Sequence, residues 1–190
     1  MSSADVIQKF KETGALLEGH FVLTSGLHSN VYLQCALVLQ HPAQAESFGS
    51  AIADNFRDQH IEVVAAPAIG GLIVGHEAAR ALGARFIWTE RENGKMTLRR
   101  GFKLLPKERV LVVEDVVTTG GSTRETIETL QAAGADVIAA ASIIDRSSGA
   151  ADVGVPRIAL ATLNAQAVEP AKCAACARGD IAVKPGSRKQ

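Results

Sequence analysis

Two adjacent carboxylates, Glu114 and Asp115, stand between a short apolar run and a loop built almost wholly of hydroxyls and glycines, Thr118-Thr119-Gly120-Gly121-Ser122-Thr123. The run before them, Val110-Leu111-Val112-Val113, is rich in β-branched side chains, the pattern of a strand buried on both faces of a parallel sheet. After the loop, Ile127 and Leu130 share a face at helical spacing. The unit therefore reads as strand, loop, helix N-terminus. Such an N-terminus offers unpaired N–H groups and positive dipole density, glycines let an anion approach the backbone, and hydroxyls add donors, so the loop suits a phosphate monoester. A nucleotide-triphosphate loop would place a Lys before its Ser/Thr, and a dinucleotide fold would carry G-x-G-x-x-G directly after the strand; neither pattern is present. The acid pair has a purpose if the ligand also carries vicinal hydroxyls, which carboxylates accept, with a metal nearby to temper the charge. Phosphate plus a ribose diol is the implied ligand. A buried strand followed by a hydroxyl-capped helix is the plainer alternative, and it leaves the two acids unexplained.

Residues 110–123, Val-Leu-Val-Val-Glu-Asp-Val-Val-Thr-Thr-Gly-Gly-Ser-Thr, resemble the phosphoribosyl-pyrophosphate (PRPP) motif of the type I phosphoribosyltransferases. The resemblance implies that Glu114 and Asp115 bind the ribose hydroxyls of PRPP. It also implies that the loop from Val116 and Val117 through Thr118, Thr119, Gly120, Gly121, Ser122 and Thr123 binds the 5-phosphate.

The elements that must position this motif follow from the rest of the chain. Ser2 or Ser3 can cap a first helix with Val6, Ile7 and Phe10 on one face, ended by Gly14. Residues 19–34 read as two short strands around a turn at Ser25-Gly26. They are similar to the N-terminal hood of orotate phosphoribosyltransferases, which covers the pyrimidine, and the likeness places Thr24, Tyr32 and Leu33 near it. Many members carry a lysine where Thr24 stands. His20 and His28 could be ligands or base contacts, or solvated turn residues. Pro42 opens a helix burying Ala45, Phe48, Ala51, Ile52 and Phe56. A strand over 61–66 then meets Pro67-Ala68-Ile69-Gly70-Gly71, a second strand-loop-helix anion site by the same N–H logic. This loop resembles the family's pyrophosphate loop, with Gly70 and Gly71 at its tip and Gly70 where many orotate enzymes have a lysine. A tight turn without ligand is the alternative reading.

A strand over 84–89 leads into the basic stretch 90–101, in which Asn93-Gly94 signals a hairpin turn. From Arg91 to Arg109 seven basic residues face only Glu92 and Glu108, so the segment should meet an anion or be well solvated. It resembles the mobile catalytic loop of the family, which implies catalytic roles for Arg91 and Lys95 alongside Asp115. Within 90–101 Arg91 has little to pair with, and the resemblance sends it across a two-fold interface. A strand over 136–144 ends in Asp145-Arg146. In orotate enzymes an arginine here faces the pyrimidine, and its planar fork matches a carboxylate; the same resemblance adds Thr118 to the orotate contacts. An Asp145–Arg146 surface ion pair is the alternative. Residues 157–162 add an edge strand. The tail, with Cys173-Ala174-Ala175-Cys176 and Lys184-Pro185-Gly186-Ser187-Arg188, resembles one bacterial branch of orotate enzymes. A lone C-x-x-C lacks two of the four ligands of structural zinc, so packing thiols, zinc and redox readings stay open.

The order of elements predicts an α/β fold with a mostly parallel sheet flanked by helices, the type I phosphoribosyltransferase fold with a small N-terminal hood. One domain over 1–190 is expected, with hood at approximately 15–40, core at approximately 41–165 and tail at 166–190. Twenty basic residues balance twenty acidic ones, so no global field favours nucleic acid or a membrane surface. The N-terminal residues lack a basic start and a long apolar run, and three cysteines are too few for a disulfide framework; a cytoplasmic protein is expected. The resemblance implies transfer from PRPP to orotate, with Mg2+ bound mainly through PRPP and no side-chain metal ligand assigned. It further implies a homodimer sharing the 90–101 loop. A purine phosphoribosyltransferase and a PRPP-sensing, RNA-binding regulator on the same fold remain the alternatives.

Overall fold

The computed structural model describes residues 1–23, 25–164 and 167–185. Thr24 lies outside them, as do Gly186, Ser187 and Arg188 of the tail. Helix α1 (Ser3–Glu12) starts at a capping box: Ser2 Oγ accepts from Asp5 N, and the Asp5 carboxylate accepts from Ser2 N at 2.9 Å. Strands β1 (Leu16–Val22) and β2 (His28–Leu33) form the expected antiparallel pair. A short helix not foreseen from the sequence, α2 (Cys35–Leu39), turns the chain from this hood into α3 (Pro42–Ala53). Its run of Ala36, Leu37, Val38 and Leu39 is too short to display a helical period.

The core alternates β3 (Val63–Pro67), α4 (Leu72–Leu82), β4 (Arg85–Glu92), β5 (Lys95–Leu98), β6 (Arg109–Val117), α5 (Gly121–Ala132), β7 (Asp136–Asp145) and β8 (Arg157–Thr162). The sheet order is β5-β4-β3-β6-β7-β8, parallel throughout except for the β4–β5 hairpin. Val110, Leu111, Val112 and Val113 are fully buried because both faces of the sheet are covered. Leu111 and Val113 join the apolar cluster beneath α1, α3 and α4, whereas Val110 and Val112 pack with Ile127 and Leu130 of α5. Burying each such side chain contributes about 1.5–3 kcal/mol.

Strand β6 runs two residues past the acid pair, to Val117, rather than ending at it. Its neighbours β3 and β7 hold it in register, Glu114 facing Ser142 and Val117 facing Asp145. Between β3 and β6 the chain's crossovers reverse direction, and the loops leaving both strands flank the crevice where open α/β sheets bind ligands. At the C-terminal end of the chain β9 (Ala167–Val168) pairs with β2 to extend the hood, followed by the single-turn helix α6 (Ala174–Ala177).

Candidate active site

The phosphate loop is built at the end of β6. Gly120 is the N-cap of α5 with φ +79°, a left-handed conformation that glycine adopts at no steric cost, and a β-carbon there would come within 2.9 Å of Val153 Cγ1. The turn leaves a cavity of about 140 Å3 lined by Glu114 and the backbone and side chains of 116–123. Its wall includes the first turn of α5, and Thr118, Thr119, Ser122 and Thr123 all line it.

A second cavity of about 450 Å3 adjoins it through Val116 and Thr118. Asp115, Gly70, Arg146, Leu33, Gln34 and Cys35 are among its walls, so the hood, the 67–71 loop and the ends of β6 and β7 meet there. Asp115 is held locally: its Oδ1 accepts from Val116 N at 2.8 Å, and the Cys35 thiol lies beside its carboxylate. Burial, and then the Asp115 charge, push the Cys35 thiol well up, so it remains a thiol. Glu114 is 7% exposed, and burial followed by the neighbouring Asp115 charge raises its carboxyl well above the ordinary range. Two adjacent acids thus have different environments, one desolvated and one opening to the cavity.

Arg146 does not pair with Asp145. The Asp145 carboxylate is buried and already engaged, accepting from Ser147 N at 2.8 Å, Ser147 Oγ at 2.6 Å and Gly149 N at 2.8 Å, with Arg157 at 3.2 Å. Burial pushes this carboxyl up, yet those bonds together hold it below the ordinary range. Arg146 is left facing the cavity, its Nε buried and without a hydrogen-bond partner among the described residues. Burial lowers its pKa, the mark of a cation short of a compensating anion.

The basic segment is more ordered than a loop. Asn93 and Gly94 take left-handed φ values of 51° and 81°, the turn expected for Asn-Gly, and β4 and β5 pair from Thr89↔Leu98 to Glu92↔Lys95. Arg91 has a partner in its own chain, outside the segment that the sequence reading considered: Glu125 on α5, at 2.7 Å. Thr129 Oγ1 also donates to Met96 O at 3.1 Å, tying the hairpin to α5. Neither Arg91 nor Lys95 lines either cavity in this conformation. Tyr32 does not line them either; its hydroxyl donates to Gln34 Oε1 at 3.1 Å and its ring packs on Phe21, whereas Leu33 is at the site. Gln34, Cys35, Ile69 and Ile73 are wall residues that the sequence did not single out. Only the position of 34–35 directly after a hood strand could have pointed to the first two.

Residues 36–158 match the phosphoribosyl transferase domain family, and the chain belongs to that family. Along its full length it is 53% identical to the orotate phosphoribosyltransferase of Pelotomaculum thermopropionicum, covering all of both chains. It is 50% identical to that of Desulforamulus reducens, covering all of this chain and 99% of the relative. Among solved structures it superposes on orotate phosphoribosyltransferase from Aeropyrum pernix with a TM-score of 0.67 at 31% identity, covering 83% of this chain and 93% of the other. The Mycobacterium tuberculosis orotate phosphoribosyltransferase in complex with inorganic phosphate gives 0.68 at 21% identity, over 85% and 95% of the two chains, a likeness of fold.

Proposed function

We propose that the protein transfers the phosphoribosyl group of PRPP to orotate, forming orotidine 5-phosphate and pyrophosphate in pyrimidine biosynthesis. The observation that carries this reading is Arg146, a half-buried guanidinium without a carboxylate partner among the described residues, on the wall of the same cavity as Asp115. A planar fork in that setting calls for a carboxylate, and orotate is the pyrimidine that brings one. A purine has none to offer. The basic stretch also favours an enzyme over an RNA-binding regulator. Arg91, Arg99, Arg100 and Arg109 each stand within ion-pair distance of an acid, which breaks up the positive stripe a nucleic-acid face would need.

In this reading the 118–123 loop holds the 5-phosphate, Asp115 and Glu114 accept from the ribose hydroxyls, and the 67–71 loop holds the pyrophosphate end. The orotate ring lies under the hood against Leu33, with its carboxylate on Arg146 and Thr118 beside it. Transfer needs no side-chain nucleophile, because the ribosyl carbon passes through an oxocarbenium-like state attacked by the orotate nitrogen, and the protein contributes position and charge. The Asp115 carboxylate facing the cavity is a hard oxygen donor of the kind Mg2+ accepts, and the ion, held mainly through PRPP, would supply positive charge against the diphosphate.

Arg91 and Lys95 act on the departing pyrophosphate when the β4–β5 hairpin leaves α5. The Arg91–Glu125 pair has side-chain exposures of 46% and 41%, so solvent screens it and it holds the hairpin only weakly. We place the released hairpin in the neighbouring site of a homodimer. Among the described residues no helix is long and apolar enough to cross a membrane, and a cytoplasmic location accords with the chemistry. Incubation with PRPP, Mg2+ and either orotate, uracil, adenine or guanine tests the assignment: pyrophosphate should appear with orotate. Release with a purine and none with orotate would overturn it.

A further inference from the structure

A cluster far from the phosphate loop in sequence joins the two residues of the C-x-x-C to two histidines of the hood. Cys173 and Cys176 supply sulfur, and His20 on β1 and His28 at the start of β2 supply nitrogen. We propose that these four side chains form a tetrahedral Zn2+ site that fastens the C-terminal segment to the hood.

The geometry is that of a closed four-ligand set. All four ligand atoms lie within 4.8 Å of one another. His20 Nε2 is 2.8 Å from His28 Nδ1, 3.3 Å from Cys173 Sγ and 3.6 Å from Cys176 Sγ, while Cys176 Sγ is 3.2 Å from His28 Nδ1. Zn–S bonds of about 2.3 Å and Zn–N bonds of about 2.0–2.1 Å set tetrahedral neighbours about 3.3–3.8 Å apart, so to take the ion the two imidazole nitrogens must part by about half an ångström and the widest pair must close by up to about one. No other arrangement of four donors is required. The two ligands that a lone C-x-x-C lacks come from residues about 150 positions earlier in the chain.

The surroundings select the ligand forms. His20 Nδ1 lies 3.1 Å from the Asp180 carbonyl, which can only accept, so Nδ1 carries the hydrogen and the Nε2 lone pair faces the cluster. Backbone N–H groups of Cys176 and Ala175 point at Cys173 Sγ, the direction from which they would stabilise a metal thiolate. His28 and Cys173 are each 8% exposed, and the cluster forms part of the wall of an open cavity of about 820 Å3, which gives an ion a way in. Two thiolates and two imidazoles with no vacant position for substrate define a structural zinc rather than a catalytic one.

The attachment matters because little else holds the tail. Strand β9 contributes two paired residues, and beyond α6, among the described residues, a single β-bridge joins Val183 to Phe21. Strand β2 runs from His28 at the cluster to Leu33 at the orotate cavity, so the ion would brace the hood from the opposite end of one strand.

The test uses the full chain, produced without an affinity tag and kept reduced. Elemental analysis should find one zinc per chain, and Co2+ exchanged for it should give the thiolate charge-transfer and intense visible bands of a tetrahedral S2N2 site. Cys176→Ala and His20→Ala should each lose the metal while retaining the circular dichroism of the core. Chelation should make the tail susceptible to protease and raise the KM for orotate several-fold while leaving that for PRPP near its starting value. A reduced chain that contains no zinc and gives no tetrahedral Co2+ spectrum overturns the site, whether the cysteines prove to be free thiols or a Cys173–Cys176 disulfide. The Co2+ spectrum of the unmutated chain decides the matter even if a variant fails to fold.

Discussion

Gly70 packs directly against the Asp115 carboxylate: a β-carbon on Gly70 would stand 2.6 Å from Oδ1 and 2.9 Å from Cγ. The contact joins the 67–71 loop to the acid pair. It also leaves no room, in this arrangement, for the lysine that many orotate enzymes carry at this position. Gly70→Ala should therefore turn Asp115 aside and raise the KM for PRPP, with little change in melting temperature, since a short side chain rather than backbone must move. Asp115→Asn removes a charged acceptor from a ribose hydroxyl and should cost roughly 1.5–3 kcal/mol, about ten- to a hundredfold in kcat/KM for PRPP. Steady-state kinetics with PRPP varied check both, and unchanged PRPP affinity in either variant would dissociate the contact from binding.

Glu114 gives a pH-dependent signature. Burial raises its carboxyl above the unfolded value of about 4.3, so its contribution to stability is complete below that value and is lost as pH climbs toward the folded one. Glu114→Gln has no such loss. Without ligands the variant should melt above the unmutated protein by a margin that widens as pH rises above the unfolded carboxyl value, while binding PRPP more weakly. Parallel melting curves above that value would show that Glu114 is not desolvated in the free protein.

The β4–β5 hairpin should be held by Glu125 only lightly. Glu125→Gln is expected to keep kcat within a few-fold of the unmutated value, because a solvent-exposed pair is screened and contributes little. Loss of all activity would mean that the docked hairpin is itself the working state.

The shared site is tested by remixing Arg91→Ala with Asp115→Asn at a PRPP concentration at which each parent is nearly inactive. Equal amounts make half the dimers hybrid, and every hybrid has one site with both residues intact and one with neither. Activity should return to about a quarter of the unmutated level by that symmetry count. With hybrid dimers verified, a sample as inactive as its parents would place Arg91 in its own subunit's site.

Much of this arrangement is legible in the sequence where the signal is local. The buried run 110–113, the hydroxyl–glycine loop after it, the Asn93-Gly94 turn and the edge strand β8 (Arg157–Thr162) are each set by a few consecutive residues, and each forms as the pattern predicts. What escapes is decided by distant partners. Asp145 has Arg157 and the turn at 147–149 as partners, which leaves its neighbour Arg146 for the cavity. Arg91 is claimed by an acid on α5, and two histidines of the hood meet two cysteines of the tail. Helix α2 was hidden for a different reason: five residues are too few to show a period.

Arg146→Ala tests the assignment of orotate most directly. Kinetics with each substrate varied in turn should show the KM for orotate raised far more than that for PRPP, and the unmutated protein should use uracil, which lacks the carboxylate, far less well than orotate. Equal use of uracil and orotate by the unmutated protein, or an Arg146→Ala variant that keeps its KM for orotate, would contradict the account.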